Sequence, residues 1–318
     1  MNPSDGNTSL VQNTTHRVVI PFYVYAALSF LAATVLLLFS GSAFTQHYFH
    51  PRTLAITHIM ALGWGTMMIL GASYQLVPVL IEAKLYSPSL AYLSFLLAGT
   101  GIPLLVFAFF RFHFGWQAQT GAILINAAVL LFLVNLAVSI ARSQRENVHA
   151  IFVLTATAWL LITTLVGLLL VFNFTRSLLP ADSLHYLSLH AHLGIVGWFL
   201  LLVMGVGSRL LPMFLISKYD DPKRLWRIFF CINGALLLFI VVFFLSVSPS
   251  WYAVPLLPLL TGLLLFGRYC RRAYRQRIRK QVDQPVTISL LSMAMLALPV
   301  LLLMVLMGCL LVGAVHTE

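Results

Sequence analysis

Long apolar stretches alternate with short polar ones along the whole chain. Nine stretches of about 20 or more mostly apolar residues are each long enough to cross ~30 Å of hydrocarbon as a helix. They are residues 18–40, 53–81, 88–110, 118–140, 150–172, 188–216, 225–247, 251–269 and 286–313. The pattern predicts an all-α polytopic integral membrane helical bundle of about nine transmembrane helices, within one transmembrane domain at residues 18–313. Residues 1–17 and 314–318 are predicted to be short tails, the first lacking a signal-peptide pattern.

The composition supports a membrane protein. Hydrophobic residues make up 60% of the chain, charged residues 8%, and the mean hydropathy is +0.95, outside the range of soluble globular proteins. The three cysteines are scattered without a C-x-x-C pair, which gives no zinc pattern and no covalent haem attachment motif.

The basic residues predict an orientation. In the nine-span arrangement, the short loops on the side opposite the N-terminus carry Arg52, Arg111 and Arg176, while the N-terminal side collects most of the remaining lysines and arginines, including residues 268–280. The positive-inside rule then places the N-terminus in the cytoplasm and the C-terminus outside, in a bacterial inner membrane. The net charge of +11 lies in loops next to lipid headgroups, so we expect the lipid bilayer as partner and no nucleic acid.

Two of the spans resemble each other. Among the identities between "THIMALGWGTMMILGASYQLVPVL" (57–80) and "AHLGIVGWFLLLVMGVGSRLLPMFL" (191–215), five pairs that include a His, a Trp and a Pro keep one constant offset along the chain. The pairs are His58 with His192, Gly63 with Gly197, Trp64 with Trp198, Gly71 with Gly205, and Pro78 with Pro212. This spacing predicts two parallel four-helix repeats, residues 18–140 and 150–269, plus one extra helix at 286–313.

The repeat makes the histidines candidates for a cofactor. If a pseudo-twofold axis brings equivalent helices together, His58 and His192 face each other, as the axial ligands of a low-spin haem do. His190 lies two residues before His192, and residues two apart on a helix point about 200° away from each other. His190 is therefore expected to serve a different centre from His192, if both are ligands. A buried histidine bonded to a carbonyl stays the alternative for all three.

The segment "HAHLGIVGWFLLLVMGVGSRLLPMF" (190–214) resembles a helix of the heme-copper oxidase catalytic subunit, particularly of the C-family cytochrome c oxidases. It is also similar to small subunit I-like proteins and to NnrS-type haem and copper membrane proteins. The resemblance implies that His192 and His58 share a low-spin haem b, and that His190 is the proximal ligand of a second, high-spin haem. It does not extend to the three-histidine copper centre of the family, so four-electron reduction of dioxygen is not expected.

Other polar residues have two open interpretations each. Arg52, Arg111 and Arg176 can bind haem propionates or lipid phosphates. His47 and His50, spaced i, i+3, and His185 are weak candidates for copper, and an interfacial position is the favoured interpretation of all three.

These patterns predict a protein that binds one or two haem b groups near the outer membrane face. Its predicted role is electron transfer, or chemistry of a small gas such as nitric oxide or oxygen, with a respiratory electron donor as partner. Whether it is a haem-dependent oxidoreductase stays open. The alternatives are a haem or copper accessory protein for a respiratory oxidase, and a transporter with a site at the repeat interface.

Overall fold

Eight long helices follow one another along the chain. The computed structural model describes residues 16–309 except 144–146, 246, 279–280, 282, 297, 300, 303 and 307. Within that part the spans are α1 (His16–Leu38), α2 (Pro51–Ile81), α3 (Pro88–Phe110), α4 (Trp116–Ala141), α5 (Val148–Arg176), α6 (Leu187–Phe214), α7 (Pro222–Leu245) and α8 (Ser250–Arg275). Each is long and apolar enough to cross a membrane. The predicted all-α membrane bundle is confirmed.

The end of the chain matches the prediction in part. A shorter apolar helix, α9 (Gln284–Met295), begins where the ninth span is predicted, while residues 310–313 lie outside the described part. Helix α8 continues past its predicted end at 269, as far as Arg275. Its last two turns carry arginines, whose long aliphatic stems allow a helix to run on into the headgroup region.

The chain forms two compact units. Unit 1 contains the residues up to Asn147 together with Leu161–Tyr186, and unit 2 contains Val148–Leu160 together with the residues from Leu187 onwards. Helix α5 therefore contributes its first half to unit 2 and its second half to unit 1. We describe each unit by itself.

Helices α3 and α7 bury the same positions in the two units. The buried residues of α3 are Ala91, Ser94, Ala98, Gly101, Ile102, Leu105, Ala108 and Phe109. Those of α7 are Leu225, Ile228, Ile232, Ala235, Leu236, Phe239, Val242 and Phe243. Each buried residue of α7 lies as many residues after its counterpart in α3 as His192 lies after His58. The repeat is thus a feature of packing, and it extends to a helix pair in which few residues are identical.

The starts of α3 and α7 are also equivalent. Each helix begins with a proline, and a polar residue stands before it: Ser87 before Pro88 and Asp221 before Pro222. The Ser87 hydroxyl accepts a bond from the Leu90 N–H at 3.3 Å, and the Asp221 carboxylate accepts one from the Arg224 N–H at 3.0 Å. Both side chains satisfy a backbone donor that the first helical turn leaves open.

The first helix of each unit packs against the glycine shared by α2 and α6. A Cβ on Gly71 would lie 2.8 Å from the Phe22 Cβ of α1, and a Cβ on Gly205 would meet the Phe152 Cβ of α5. Fewer residues separate Phe22 from Phe152 than separate Gly71 from Gly205. The segment from this phenylalanine to this glycine is therefore slightly longer in the second copy than in the first. Glycine at both positions lets the helix backbones approach closely, as interfaces in lipid favour.

Two tyrosines bond carbonyl groups that prolines leave without a partner. Proline has no N–H, so the carbonyl four residues before it loses its helical hydrogen bond. The Tyr269 hydroxyl donates to the Ser208 carbonyl, four residues before Pro212, at 3.0 Å. The Tyr25 hydroxyl donates in the same way to the Gly99 carbonyl, four residues before Pro103, at 3.3 Å. Neighbouring helices thereby satisfy backbone groups that lipid cannot.

Candidate functional site

His58 and His192 have the same local geometry. The Nδ1 of His58 lies 2.8 Å from the Leu54 carbonyl oxygen, and the Nδ1 of His192 lies 2.7 Å from the Ser188 carbonyl oxygen. Both acceptors are one helical turn earlier, and both imidazoles are half-buried. A carbonyl oxygen can only accept, so in the neutral ring Nδ1 carries the proton and Nε2 keeps its lone pair.

An aromatic ring packs against each imidazole. His58 meets Phe109 of α3 edge to face, with ring centroids 4.7 Å apart. His192 stacks on Phe239 of α7, with centroids 4.1 Å apart and an interplanar angle of 23°. Each ring is thus restrained both by a hydrogen bond and by an aromatic contact within its own unit.

Both histidines stand directly before a π-helical segment. Residues Ile59–Thr66 of α2 and Leu193–Leu200 of α6 form π-helix. The second segment follows the first by the same number of residues as His192 follows His58. At their ends the Met67 N–H bonds the Leu62 carbonyl, and the Leu201 N–H bonds the Val196 carbonyl. Such widened turns are rare, and they occur frequently at functional sites.

An aromatic cluster lies beside His58 in unit 1. Phe114 and Phe174 stack with centroids 4.0 Å apart, and Phe49 and Phe112 pack on the same group. Phe109, which contacts His58, lies 5.7 Å from Phe114. The cluster therefore brings three separate parts of the chain next to the histidine.

The three arginines predicted to bind acidic groups lie at helix ends beside this cluster: Arg52 in the first turn of α2, Arg111 directly after α3 and Arg176 at the end of α5. Arg52, Arg111 and Arg176 are all exposed, and each lies within one helical turn of a member of the aromatic cluster along the chain. Arg52 donates from Nη1 to the Phe39 carbonyl at 3.0 Å, and the Arg176 guanidinium lies 5.3 Å from the Phe172 ring centroid. Their roles toward a haem stay predictions.

His190 and His185 lie at the start of α6 and just before it. His190 is half-buried and His185 is exposed. The His185 backbone N–H bonds the Asp182 carboxylate at 2.8 Å, and its ring packs edge to face on Tyr186. The predicted ligation by His190 and the weaker copper role of His185 stay predictions.

His47 and His50 have local structural roles. The His47 Nδ1 accepts from the Phe49 N–H at 3.1 Å, and the His50 Nδ1 accepts from the Arg52 N–H at 3.3 Å. His50 thereby caps the first turn of α2. In the part of the chain that is described, no group of three or more His, Cys, Asp or Glu side chains is placed to hold a metal ion.

No family model and no curated protein sequence matches this chain. The assignment of a function therefore rests on the residues and their geometry.

A buried polar cluster in unit 2 was not predicted. The His149 Nδ1 lies 2.8 Å from the Ser208 hydroxyl, which itself donates to the Gly205 carbonyl at 2.7 Å. Tyr269 bonds the Ser208 carbonyl, and its ring lies 5.1 Å from that of Tyr219. The sequence signal was His149 near one end of α5, but pairing it with Ser208 required knowledge of which helices are neighbours.

The cluster approaches charged residues in the loop before α7. The Tyr219 hydroxyl lies 3.1 Å from the Asp221 carboxylate and 2.7 Å from the Arg224 guanidinium. Burial raises the pKa of Tyr219, and the bond to Asp221 adds to that increase. For Asp221, burial opposes ionisation, but bonds from the Arg224 N–H and the Tyr219 hydroxyl and the charge of Arg224 outweigh it and lower the pKa.

Proposed function

We propose that this chain is a haem-binding integral membrane protein in which His58 and His192 supply ligands to haem iron. The equivalence of the two histidines carries the proposal: the same side chain in both units, with Nδ1 held by the carbonyl one turn earlier. The proposal extends to electron transfer or small-gas chemistry at that haem, in a bacterial inner membrane with the N-terminus in the cytoplasm.

The fixed tautomer suits haem ligation. A histidine ligand presents an unprotonated nitrogen to the iron while its other ring N–H is held by a carbonyl or carboxylate. The Leu54 and Ser188 carbonyls fit that second role. The unprotonated Nε2 atoms of His58 and His192 would then be the ones that bind iron. When bound, haem would supply one-electron redox chemistry.

The surroundings of His58 support a haem near a membrane face. Apolar rings beside the imidazole exclude water from the iron and favour the neutral ligand. The exposed arginines at the adjoining helix ends are suited to the two carboxylates of a haem, because a guanidinium binds a carboxylate bidentately. That His58 and His192 bind one and the same iron stays a prediction from the repeat.

The proposed chemistry depends on whether His190 also binds a haem iron. An iron with two histidine ligands resists further binding, whereas an iron with His190 alone keeps an open position for nitric oxide or carbon monoxide. One haem therefore favours electron transfer, and a second haem on His190 favours gas binding.

The first experiment is a pyridine haemochrome assay with metal analysis on the purified full-length protein. Haem b at one or two equivalents is expected, with a low-spin Soret spectrum. His58→Ala and His192→Ala should each remove that low-spin signal, whereas the matched control His47→Ala should keep it, since the exposed His47 ring accepts a local backbone bond. A normal low-spin spectrum in both single variants would refute ligation by these histidines.

The second experiment tests His190 with a carbon monoxide difference spectrum of the reduced protein. A signal that His190→Ala removes supports a second, open haem. Absence of the signal in the parent protein restricts the proposal to electron transfer at a single haem. Absence of any Soret band would reject haem and favour an accessory or transport role.

A further inference from the structure

An apolar groove runs along the surface of unit 1 between α1 and α3. Its volume is about 700 Å³. Leu31 and Phe107 line it from opposite helices with 59% and 53% of their surfaces exposed, and Ile102 lines it as a buried residue. Ala32 contributes a small side chain on the α1 face, which leaves room between the two helices.

The groove is longer than the hydrocarbon of one membrane leaflet. Its lining on this side runs from Tyr25 of α1 to Phe39, which directly follows that helix, about 21 Å at the helical rise of 1.5 Å per residue. Half of the hydrocarbon of a bilayer is about 15 Å thick. A fully extended lipid chain entering from the end of α1 therefore fits along the groove.

Positive charge lies at one end of the groove. Phe39 and Phe110 line that end. The Arg52 guanidinium bonds the Phe39 carbonyl through Nη1, and the exposed Arg111 directly follows Phe110. At the other end, the Tyr25 hydroxyl already donates to the Gly99 carbonyl. The groove thus offers a cationic mouth and an apolar interior, which complements an anion with a hydrocarbon chain.

We propose that this groove binds one acyl chain of an anionic phospholipid, with the lipid phosphate at Arg52 and Arg111. Guanidinium groups suit phosphate because they combine a permanent charge with paired donors. A quinone fits less well, since its head carries no negative charge to complement the two arginines. Arg52 and Arg111 then bind lipid phosphate instead of haem carboxylates, and the proposal does not depend on haem.

Native mass spectrometry of the purified, delipidated protein tests the headgroup. The probes are dioleoylphosphatidylglycerol and dioleoylphosphatidylcholine, which share their acyl chains and differ in charge. We expect about tenfold tighter binding of the anionic lipid. Arg52→Gln combined with Arg111→Gln should reduce it to the level of the neutral lipid, while the matched control Arg176→Gln leaves the preference intact. Arg111→Gln alone, which keeps the Arg52 bond to Phe39, is the variant to use if the double variant unfolds.

A second variant pair tests the groove itself. Ala32→Trp fills the groove and should lower binding of both lipids about tenfold without changing the Soret spectrum. Ala27→Trp, on an exposed position of α1 outside the groove, should change neither. Equal affinity for the two lipids, or unchanged binding in Ala32→Trp, would overturn the proposal. The proposal would also be overturned if the arginine variants lost haem yet kept the lipid preference. Two further results would overturn it: retention of a quinone instead of phospholipid, and a dimer that Ala32→Trp dissociates.

Discussion

Replacing Tyr269 by Phe isolates the contribution of one hydroxyl group to stability. In the wild type this hydroxyl donates to the Ser208 carbonyl at 3.0 Å, and both residues are 1% exposed. Pro212 cannot supply the helical N–H that the carbonyl would otherwise receive. Tyr269→Phe therefore leaves a buried carbonyl without its partner, which costs about 1–3 kcal/mol in the free energy of unfolding.

A second substitution restores the backbone N–H donor that Pro212 lacks. Pro212→Ala provides an N–H four residues after Ser208, so the carbonyl regains a helical bond. Tyr269→Phe should then cost less in the Pro212→Ala background than in the wild type, with a coupling energy of about 1–2 kcal/mol. The assay is reversible unfolding in mixed detergent micelles of increasing sodium dodecyl sulfate fraction, followed by far-UV circular dichroism.

The result that refutes this reasoning is an equal cost of Tyr269→Phe in both backgrounds. It would mean that the hydroxyl stabilises the fold in some way other than by replacing the proline's missing N–H. A parallel cycle with Tyr25→Phe and Pro103→Ala should give the same sign and a smaller coupling, because the bond to Gly99 is longer at 3.3 Å and only partly buried.

Three further predictions concern the helix cap at Asp221, the close helix contacts at Gly71 and Gly205, and the membrane topology. Asp221→Ala should lower stability by about 1 kcal/mol through loss of the helix cap. Because the folded-state pKa of Asp221 is lowered, the excess stability of the wild type over Asp221→Asn in thermal melts should be full at neutral pH, start to decline as pH falls below about 4, and be lost as pH falls through the lower folded-state pKa. Gly71→Leu and Gly205→Leu should each abolish the yield of monodisperse protein in size-exclusion chromatography, whereas Gly234→Leu, with no atom within 4 Å of its Cβ position, should not; a normal yield from both would contradict the close approach. A reporter that is active only in the cytoplasm should be inactive when fused after Glu318, and activity there would reverse the predicted orientation.

Hydrophobic length and a constant offset were sufficient to predict the eight long helices and the repeated pair α2 and α6. A span needs only about 20 apolar residues to be recognised, and a His, a Trp and a Pro at fixed spacing stand out among them. The two predicted repeats already pair α1 with α5, but the shorter offset of this pair was not predicted, because its identical residues are common apolar ones such as Val18 and Ala26. Packing against Gly71 and Gly205 reveals it.

The local state of the histidines could not be predicted. Their positions were found from the repeat, but the change from α- to π-helix after His58 depends on backbone hydrogen-bond register, which apolar periodicity over so short a segment does not encode. The aromatic cluster was missed for another reason. Phe49, Phe114 and Phe174 lie in three separate parts of the chain, and only the tertiary fold brings them together.

The two π-helical segments also show where the two units are alike. A π turn is rare, and it interrupts the regular hydrogen bonds of an α-helix. The segments Ile59–Thr66 and Leu193–Leu200 occupy the same place in both units, so the units share the widened turn and the histidine before it. Further along the same helices they differ: Tyr74 in unit 1 corresponds to Ser208 in unit 2, and His149 is the partner of Ser208. The units are thus alike around the histidines and differ about two turns beyond the widened segment.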